Sequence, residues 1–297
     1  MQIVTIVADK HANDLTLAIN RHIKTFSDEG ILIENQFEPS TNTIIYIMDG
    51  KTINNYTIND FISLFKRTAS EGIYEYIKTI EQPNIIKELI NQEYNYFNID
   101  ERKEILQRAL DSVNKLKIDK NDALGQKSII VEELVNYFES NSKINIKGFI
   151  TFRLKDYVEE LKIVIDEAVE DFLMDKEYNE FIKLLRYFVD IQEPKVDIVH
   201  IYMKEENNYS LFDNYGKEIN DEYLRLIAAE MKENDISYDD LLISSLITIA
   251  PNNIIIHKTG NNNFKYIINT IKRIFNQKVE LCNNCDWCII KSNVKKD

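Results

Sequence analysis

The sequence predicts a mixed α/β protein with an N-terminal β-α-β-β unit, a helical middle, and a C-terminal β-hairpin followed by a β-α-β unit. Short β-branched runs dominate the first fifty residues and return after Pro194. Between them, apolar residues recur at helical spacing. Only seven glycines and four prolines occur in 297 residues, which favours long helices over elaborate loops.

The N-terminal β-α-β-β unit is expected to span residues 1–51. Residues 2–7 have the composition of a strand, and a helix follows that Gly30 ends. Two further strands are predicted at 31–37 and 43–49, joined by a turn.

A helical segment is expected over 52–146, and the C-terminal region is expected over 147–297, where it forms either a separate unit or one domain with the N-terminal strands. The most regular helical pattern lies at the start of this region and predicts an antiparallel pair of helices. The two apolar stripes of that pair are Leu154, Tyr157, Leu161, Ile165, Ala168 and Phe172, and then Tyr178, Phe181, Leu185 and Phe188.

The rest of the C-terminal region is predicted to alternate strands and helices. Strands at 196–203 and 209–212 form a hairpin, and the chain closes as a β-α-β unit. The remaining elements are expected as helices at 221–234, 238–249 and 263–276, with strands at 253–257 and 278–282.

Charge and composition exclude several classes of function. The formal net charge of -13 argues against nucleic-acid binding, which needs clustered Lys and Arg. The N-terminus lacks the features of a signal peptide, and the longest apolar stretch, 241–250, is half a membrane span. Three cysteines fit a reducing compartment. We therefore expect a cytoplasmic protein without a transmembrane segment.

Common catalytic and nucleotide-binding motifs are also excluded. The seven glycines are each separated by about twenty or more residues, so neither a phosphate-binding loop nor a dinucleotide-binding loop is present. The signatures of serine hydrolases, zinc proteases and zinc deaminases are missing as well. No cofactor-binding or catalytic residue can be assigned from such motifs.

All three cysteines of the chain lie together, as Cys282, Cys285 and Cys288. A structural zinc site needs four ligands, so the cluster is one short. His257 ends the strand before the one that leads to Cys282. If the two strands are parallel neighbours, both emerge at the same edge of the sheet, about 4.8 Å apart. The sequence therefore predicts a Cys3His metal site formed by Cys282, Cys285, Cys288 and His257.

Four interpretations of the cysteine cluster stay open. The first is a structural zinc site that orders the C-terminus. The second is an iron–sulfur cluster, whose fourth ligand would be His257 or an external group. The third is thiol redox chemistry through a C-x-x-C pair. The fourth is a set of reduced thiols that pack at the sheet end without a metal.

Three segments and the cysteine cluster resemble the YtxC-like family of sporulation proteins from endospore-forming bacteria. The segments are 148–157 (GFITFRLKDY), 186–194 (RYFVDIQEP) and 241–251 (LLISSLITIAP). The resemblance extends over 147–288 and implies a role in sporulation, but it supplies no catalytic residues.

We expect a non-enzymatic interaction or regulatory factor with unknown protein partners. The alternative is a metal- or thiol-dependent enzyme centred on His257 and the cysteines. A peripheral adaptor that meets a membrane through the tail at 291–296 is a third interpretation, although its few lysines supply little attraction.

Overall fold

Two compact units make up the chain in the computed structural model, Met1–Met174 and Asp175–Asp297. Each unit has its own four-stranded sheet, so the N-terminal and C-terminal strands do not join into one sheet. The predicted fold class is confirmed, whereas the segment boundaries at residues 51 and 146 stay predictions. The structure describes residues 1–53, 56–116, 122–203, 209–219, 237–257, 264–283, 285 and 288.

The sheet of the first unit contains the predicted N-terminal strands and one strand that the sequence analysis missed. Its elements are β1 (Gln2–Val7), α1 (Ala12–Asp28), β2 (Ile33–Glu38), β3 (Thr43–Met48) and β4 (Lys143–Asn145). The strand order is β2-β3-β1-β4, with β4 parallel to β1 and the other pairs antiparallel. Because β4 has three residues and buries only Ile144, its sequence is too short to show alternation.

Helices form the rest of the first unit and share one hydrophobic core with the sheet. The side chain of Thr57 caps the first of them by accepting a hydrogen bond from the backbone N–H of Asp60. They are α2 (Ile58–Tyr76), a π-helical turn (Ile77–Glu81), α3 (Gln82–Glu93), α4 (Ile99–Leu116), α5 (Asp122–Ser140) and α6 (Ile146–Arg153).

The predicted antiparallel helix pair is wrong, because residues 155–191 form one continuous helix, α7 (Lys155–Ile191). The link between the two stripes, 173–177, contains neither Gly nor Pro, so nothing in it ends a helix. The stripe changes face because the first half of α7 packs in the core of the first unit and the second half in the core of the second. In the second half, Ile182 and Val189 are buried, whereas Phe181 and Phe188 are exposed.

The second unit contains the predicted hairpin and the predicted β-α-β unit. Its strand order is β6-β5-β7-β8, with β5 and β6 antiparallel and β5, β7 and β8 parallel. The helix predicted over 221–234 and the tail at 291–296 lie outside the described residues. The elements are β5 (Val196–Met203), β6 (Tyr209–Phe212), α8 (Tyr238–Ile249), β7 (Pro251–His257), α9 (Lys265–Phe275), a 3-10 turn (Asn276–Lys278) and β8 (Val279–Leu281).

Alternation along the strands separates two faces of the second sheet. Val199 and Ile201 of β5 and Ile254 and Ile256 of β7 belong to the hydrophobic core, together with the apolar face of α9. His200 and Tyr202 of β5 and His257 of β7 occupy the alternate positions and therefore lie on the other face of the sheet. Within the described part of the chain, we find no helix with the length and apolar character needed to cross a membrane.

Gly72 sets how closely α1 and α2 pack. A Cβ atom at this position would lie 2.5 Å from the Cα atom of Ile19 and 3.0 Å from the carbonyl oxygen of Ala18, both backbone atoms. Replacing glycine by alanine inside a helix usually gains about 1 kcal/mol. We expect Gly72→Ala to lower the free energy of unfolding by about 1–3 kcal/mol instead, because backbone atoms cannot yield easily.

Urea or thermal denaturation of Gly72→Ala tests this prediction, with Gly50→Ala as the control because its added Cβ would meet no atom within 4 Å. The control should change stability by no more than about 0.5 kcal/mol. Equal stability of the two variants would contradict a close contact at Gly72.

Candidate metal centre

The ends of two parallel strands place His257 beside Cys282. In the β7–β8 ladder, Ile256 pairs with Leu281. His257 follows Ile256 in the chain, and Cys282 follows Leu281. The backbone N–H of Cys282 donates to the carbonyl oxygen of Ile256 at 2.9 Å and so continues the ladder. The proximity predicted from the β-α-β topology is therefore confirmed.

The other two cysteines lie beside Cys282 and are linked to it by hydrogen bonds. The backbone N–H of Cys285 donates to Sγ of Cys282 at 3.3 Å, and the N–H of Cys288 donates to the carbonyl oxygen of Cys285 at 2.9 Å. The three sulfur atoms therefore lie close together.

Four of the distances between the ligand atoms are close to those around a single tetrahedral ion. Sγ of Cys288 lies 3.7 Å from Sγ of Cys282 and 3.8 Å from Sγ of Cys285. Nδ1 of His257 lies 3.3 Å from Sγ of Cys288 and 3.6 Å from Sγ of Cys285. Tetrahedral zinc with its usual bond lengths would separate two sulfurs by about 3.8 Å, and sulfur from nitrogen by about 3.6 Å. All four ligand atoms lie within 4.8 Å of one another, close enough to hold a metal ion.

His200 and Tyr202 of β5 position the imidazole of His257. Nδ1 of His200 lies 2.9 Å from Nε2 of His257, and the Tyr202 ring stacks on His257 with 5.7 Å between centroids. When Nδ1 of His257 binds a metal ion, its ring proton is on Nε2, which then donates to His200. Burial lowers the pKa of His200, only partly offset by Asp213, and so favours the neutral acceptor.

Burial differs among the four candidate ligands. His257 is 2% exposed, Cys282 and Cys288 are half-buried, and Cys285 is exposed. Burial, together with hydrogen bonding to the sulfurs of Cys282 and Cys285 and their negative charge, raises the pKa of Cys288 to about 12. Without a cation, Cys288 is therefore a protonated thiol, and a bound cation would favour its thiolate.

The structure brings together all four residues predicted to form the metal site, and whether they bind a metal stays a prediction. Across the described residues, this is the one group of three or more His, Cys, Asp or Glu side chains close enough to hold an ion. The sequence analysis missed the contact between His200 and His257. Alternation in β5 puts His200 and Tyr202 on one face of the sheet, but the sequence alone does not show that β7 is the neighbouring strand.

The three thiols of the metal-free protein should react at different rates. We expect Cys285 to be alkylated first at pH 8 because it is exposed. Cys288 should react at least about tenfold more slowly, because its raised pKa leaves only a small fraction of this side chain as the reactive thiolate. Fragment-ion mass spectrometry of the tryptic peptide 279–291, after timed treatment with iodoacetamide, assigns each site. Faster modification of Cys288 than of Cys285 would contradict the described environment.

Comparison with known proteins identifies relatives of this chain. It is 26% identical over 196 residues to an uncharacterised protein, YtxC, of Bacillus subtilis (strain 168), covering 65% of this chain and 68% of that protein. No solved structure matches the chain.

The model of the YtxC-like family matches residues 67–280. The match begins in the helices of the first unit, includes His257 and ends two residues before Cys282. It covers well over half of the chain, and the protein therefore belongs to the YtxC-like family.

Proposed function

We propose that this protein is a non-enzymatic interaction factor of sporulating bacteria whose C-terminal unit is organised by one zinc ion. The observation that carries the proposal is the spacing of His257, Cys282, Cys285 and Cys288, which corresponds to the ligand shell of one tetrahedral ion.

Zinc suits the site better than an iron–sulfur cluster or a redox-active thiol pair. Ligands of an iron–sulfur cluster bind separate iron atoms and are spread further apart than ligands of a single ion. A thiol pair that forms disulfides needs no buried imidazole, yet Nδ1 of His257 lies against two of the sulfurs. Three sulfurs and one imidazole nitrogen are a common ligand set of structural zinc.

A structural role is favoured over the alternative of a metal- or thiol-dependent enzyme. Catalytic zinc usually has three protein ligands and an open position for water, whereas this site offers four protein ligands. The second nitrogen of His257 is engaged by His200, so the imidazole is held in place on both sides. A zinc ion at this site would attach the cysteines after β8 to His257 at the end of β7.

The biological setting of the proposal comes from the family. The proposed link to sporulation rests on the resemblance to the YtxC-like family described from the sequence. The cytoplasm is the proposed location because clustered cysteines without a disulfide fit a reducing compartment. The proposed partners are proteins, because a net charge of -13 disfavours nucleic acids and anionic lipid surfaces.

Metal analysis of the protein purified without oxygen tests the zinc site. We expect about one zinc per chain, no visible absorbance, and a shift in the fluorescence of Trp287, the only tryptophan, when zinc is chelated. His257→Ala should lose most of the zinc, and His22→Ala should retain it, because His22 contacts Glu75 in the first unit.

A metal-free protein that takes up no zinc would refute the zinc proposal. Visible absorbance typical of iron and sulfide would show that the site holds an iron–sulfur cluster and not zinc. An unchanged zinc content in His257→Ala would remove His257 from the ligand set.

His200→Ala should weaken zinc binding without removing a ligand. Loss of a hydrogen-bond partner behind a ligating histidine typically costs about 10–100-fold in metal affinity. Competition with a chromophoric chelator measures the change, and His22→Ala again serves as the control. An affinity that does not change in His200→Ala would show that the 2.9 Å contact with His257 does not orient the ligand.

The biological role can be tested in an endospore-forming host whose own YtxC-like gene is replaced by the gene for this protein. We expect the yield of heat-resistant spores to depend on the gene and to fall with His257→Ala. A yield that does not change after complete deletion of the gene would contradict a role in sporulation.

A further inference from the structure

The second unit contains an apolar groove that the metal centre does not use. It has a volume of about 510 Å³ and lies between the second half of α7, α8 and α9. Its apolar lining includes Ile182, Leu185, Ile243, Ile247, Ile267 and Ile274. None of the four candidate metal ligands lines the groove.

Several polar side chains around the groove already have hydrogen-bond partners. The hydroxyl groups of Tyr178 and Thr270 are 3.0 Å apart, and the Thr248 hydroxyl donates to the carbonyl oxygen of Ser244. Hydroxyls that already have partners do little to orient a small polar ligand. The groove is therefore better suited to apolar side chains.

The apolar surface continues beyond the groove along α7. Phe181 lines the groove and is 56% exposed, and Leu184, Phe188 and Ile191 follow at helical spacing with more than half of their surface exposed. An elongated apolar surface of this kind typically binds the apolar stripe of a helix.

Charge at the rim of the groove indicates the chemistry of the partner. Among the described residues, the lining contains two carboxylates, Asp239 and Asp240, and no Lys, Arg or His; Lys195 and Arg273 contact two of the lining residues, Thr248 and Tyr178, from outside it. Asp240 accepts a hydrogen bond from Ser237, and among the described residues neither carboxylate forms an ion pair. Burial and the neighbouring Asp240 raise the pKa of Asp239, so a nearby cation would stabilise its charge.

A second copy of the chain is a poor occupant of this groove. Each copy carries a net charge of -13, and a dimer through this surface would bring acidic rims together without a basic residue from the lining to balance them. A basic partner has the opposite charge.

We propose that this groove binds an amphipathic helix of a partner protein, with its apolar stripe between α7, α8 and α9 and a Lys or Arg side chain against Asp239 and Asp240. The proposal rests on the proposed interaction role and gives that role a surface and a partner chemistry. Its test measures peptide binding and not metal content, so the two proposals can fail separately.

Fluorescence anisotropy with synthetic peptides tests the proposal on the full-length protein. The probe is an 18-residue peptide of Leu and Lys, with Leu at positions that form one helical stripe. We expect it to bind, and we expect the same pattern with Glu in place of Lys, or the same composition in scrambled order, to bind at least about tenfold more weakly.

Two pairs of variants place the peptide in the groove. Phe181→Ala should weaken binding at least about fivefold, whereas Phe152→Ala, which removes an even more exposed ring from α6, should not. Asp239→Asn should weaken binding about two- to fivefold at low salt and less at high salt, whereas Asp100→Asn at the first turn of α4 should not.

Failure of the Leu/Lys peptide to bind would overturn the proposal, as would equal effects of the matched variants or equal binding of the Glu peptide. Sedimentation of the protein alone should show a monomer. A dimer that Phe181→Ala dissociates would show that a second copy occupies the groove and would also overturn the proposal.

Discussion

Parallel pairing of β7 with β8 is the constraint on which the candidate metal centre depends. The pairing of Ile256 with Leu281 places the next residue of each strand at the same edge of the sheet, so that His257 meets Cys282. The other two thiols lie beside Cys282, and His200 reaches the site from β5 on the other side of β7. A shift of this register by one residue would turn His257 to the core face.

The sequence predicted the elements of the fold better than their limits. Strands β1, β2, β3, β5 and β7 have enough apolar residues to be recognised, whereas β4 depends on Ile144 and its neighbour β1. The continuous helix α7 was missed because its buried stripe changes face near Met174, and sequence periodicity cannot distinguish a turn of the chain from a change of packing partner. In the structure, Ile182 and Val189 of the second half of α7 are buried in the hydrophobic core of the second unit.

The candidate site was predictable because it depends on topology and spacing. The two-residue spacing of the cysteines and the order strand, helix, strand are visible in the sequence, and together they predict that His257 is near Cys282. The contact with His200 and the groove beside α8 and α9 were not predictable, since both arise from elements that are distant in the sequence. Their residues also carry no motif.

The same pairing of strand ends has a consequence for the unfolded chain. A metal ion that joins His257 to Cys282 closes a loop of about 25 residues (282 − 257), which contains the whole of α9. In the chain-entropy model, a cross-link over a loop of this length restricts the unfolded ensemble by about 3.5 kcal/mol. A disulfide has the same effect only where thiols are oxidised. Coordination would give a small sheet such a cross-link in a reducing compartment, reversibly and under the control of metal supply.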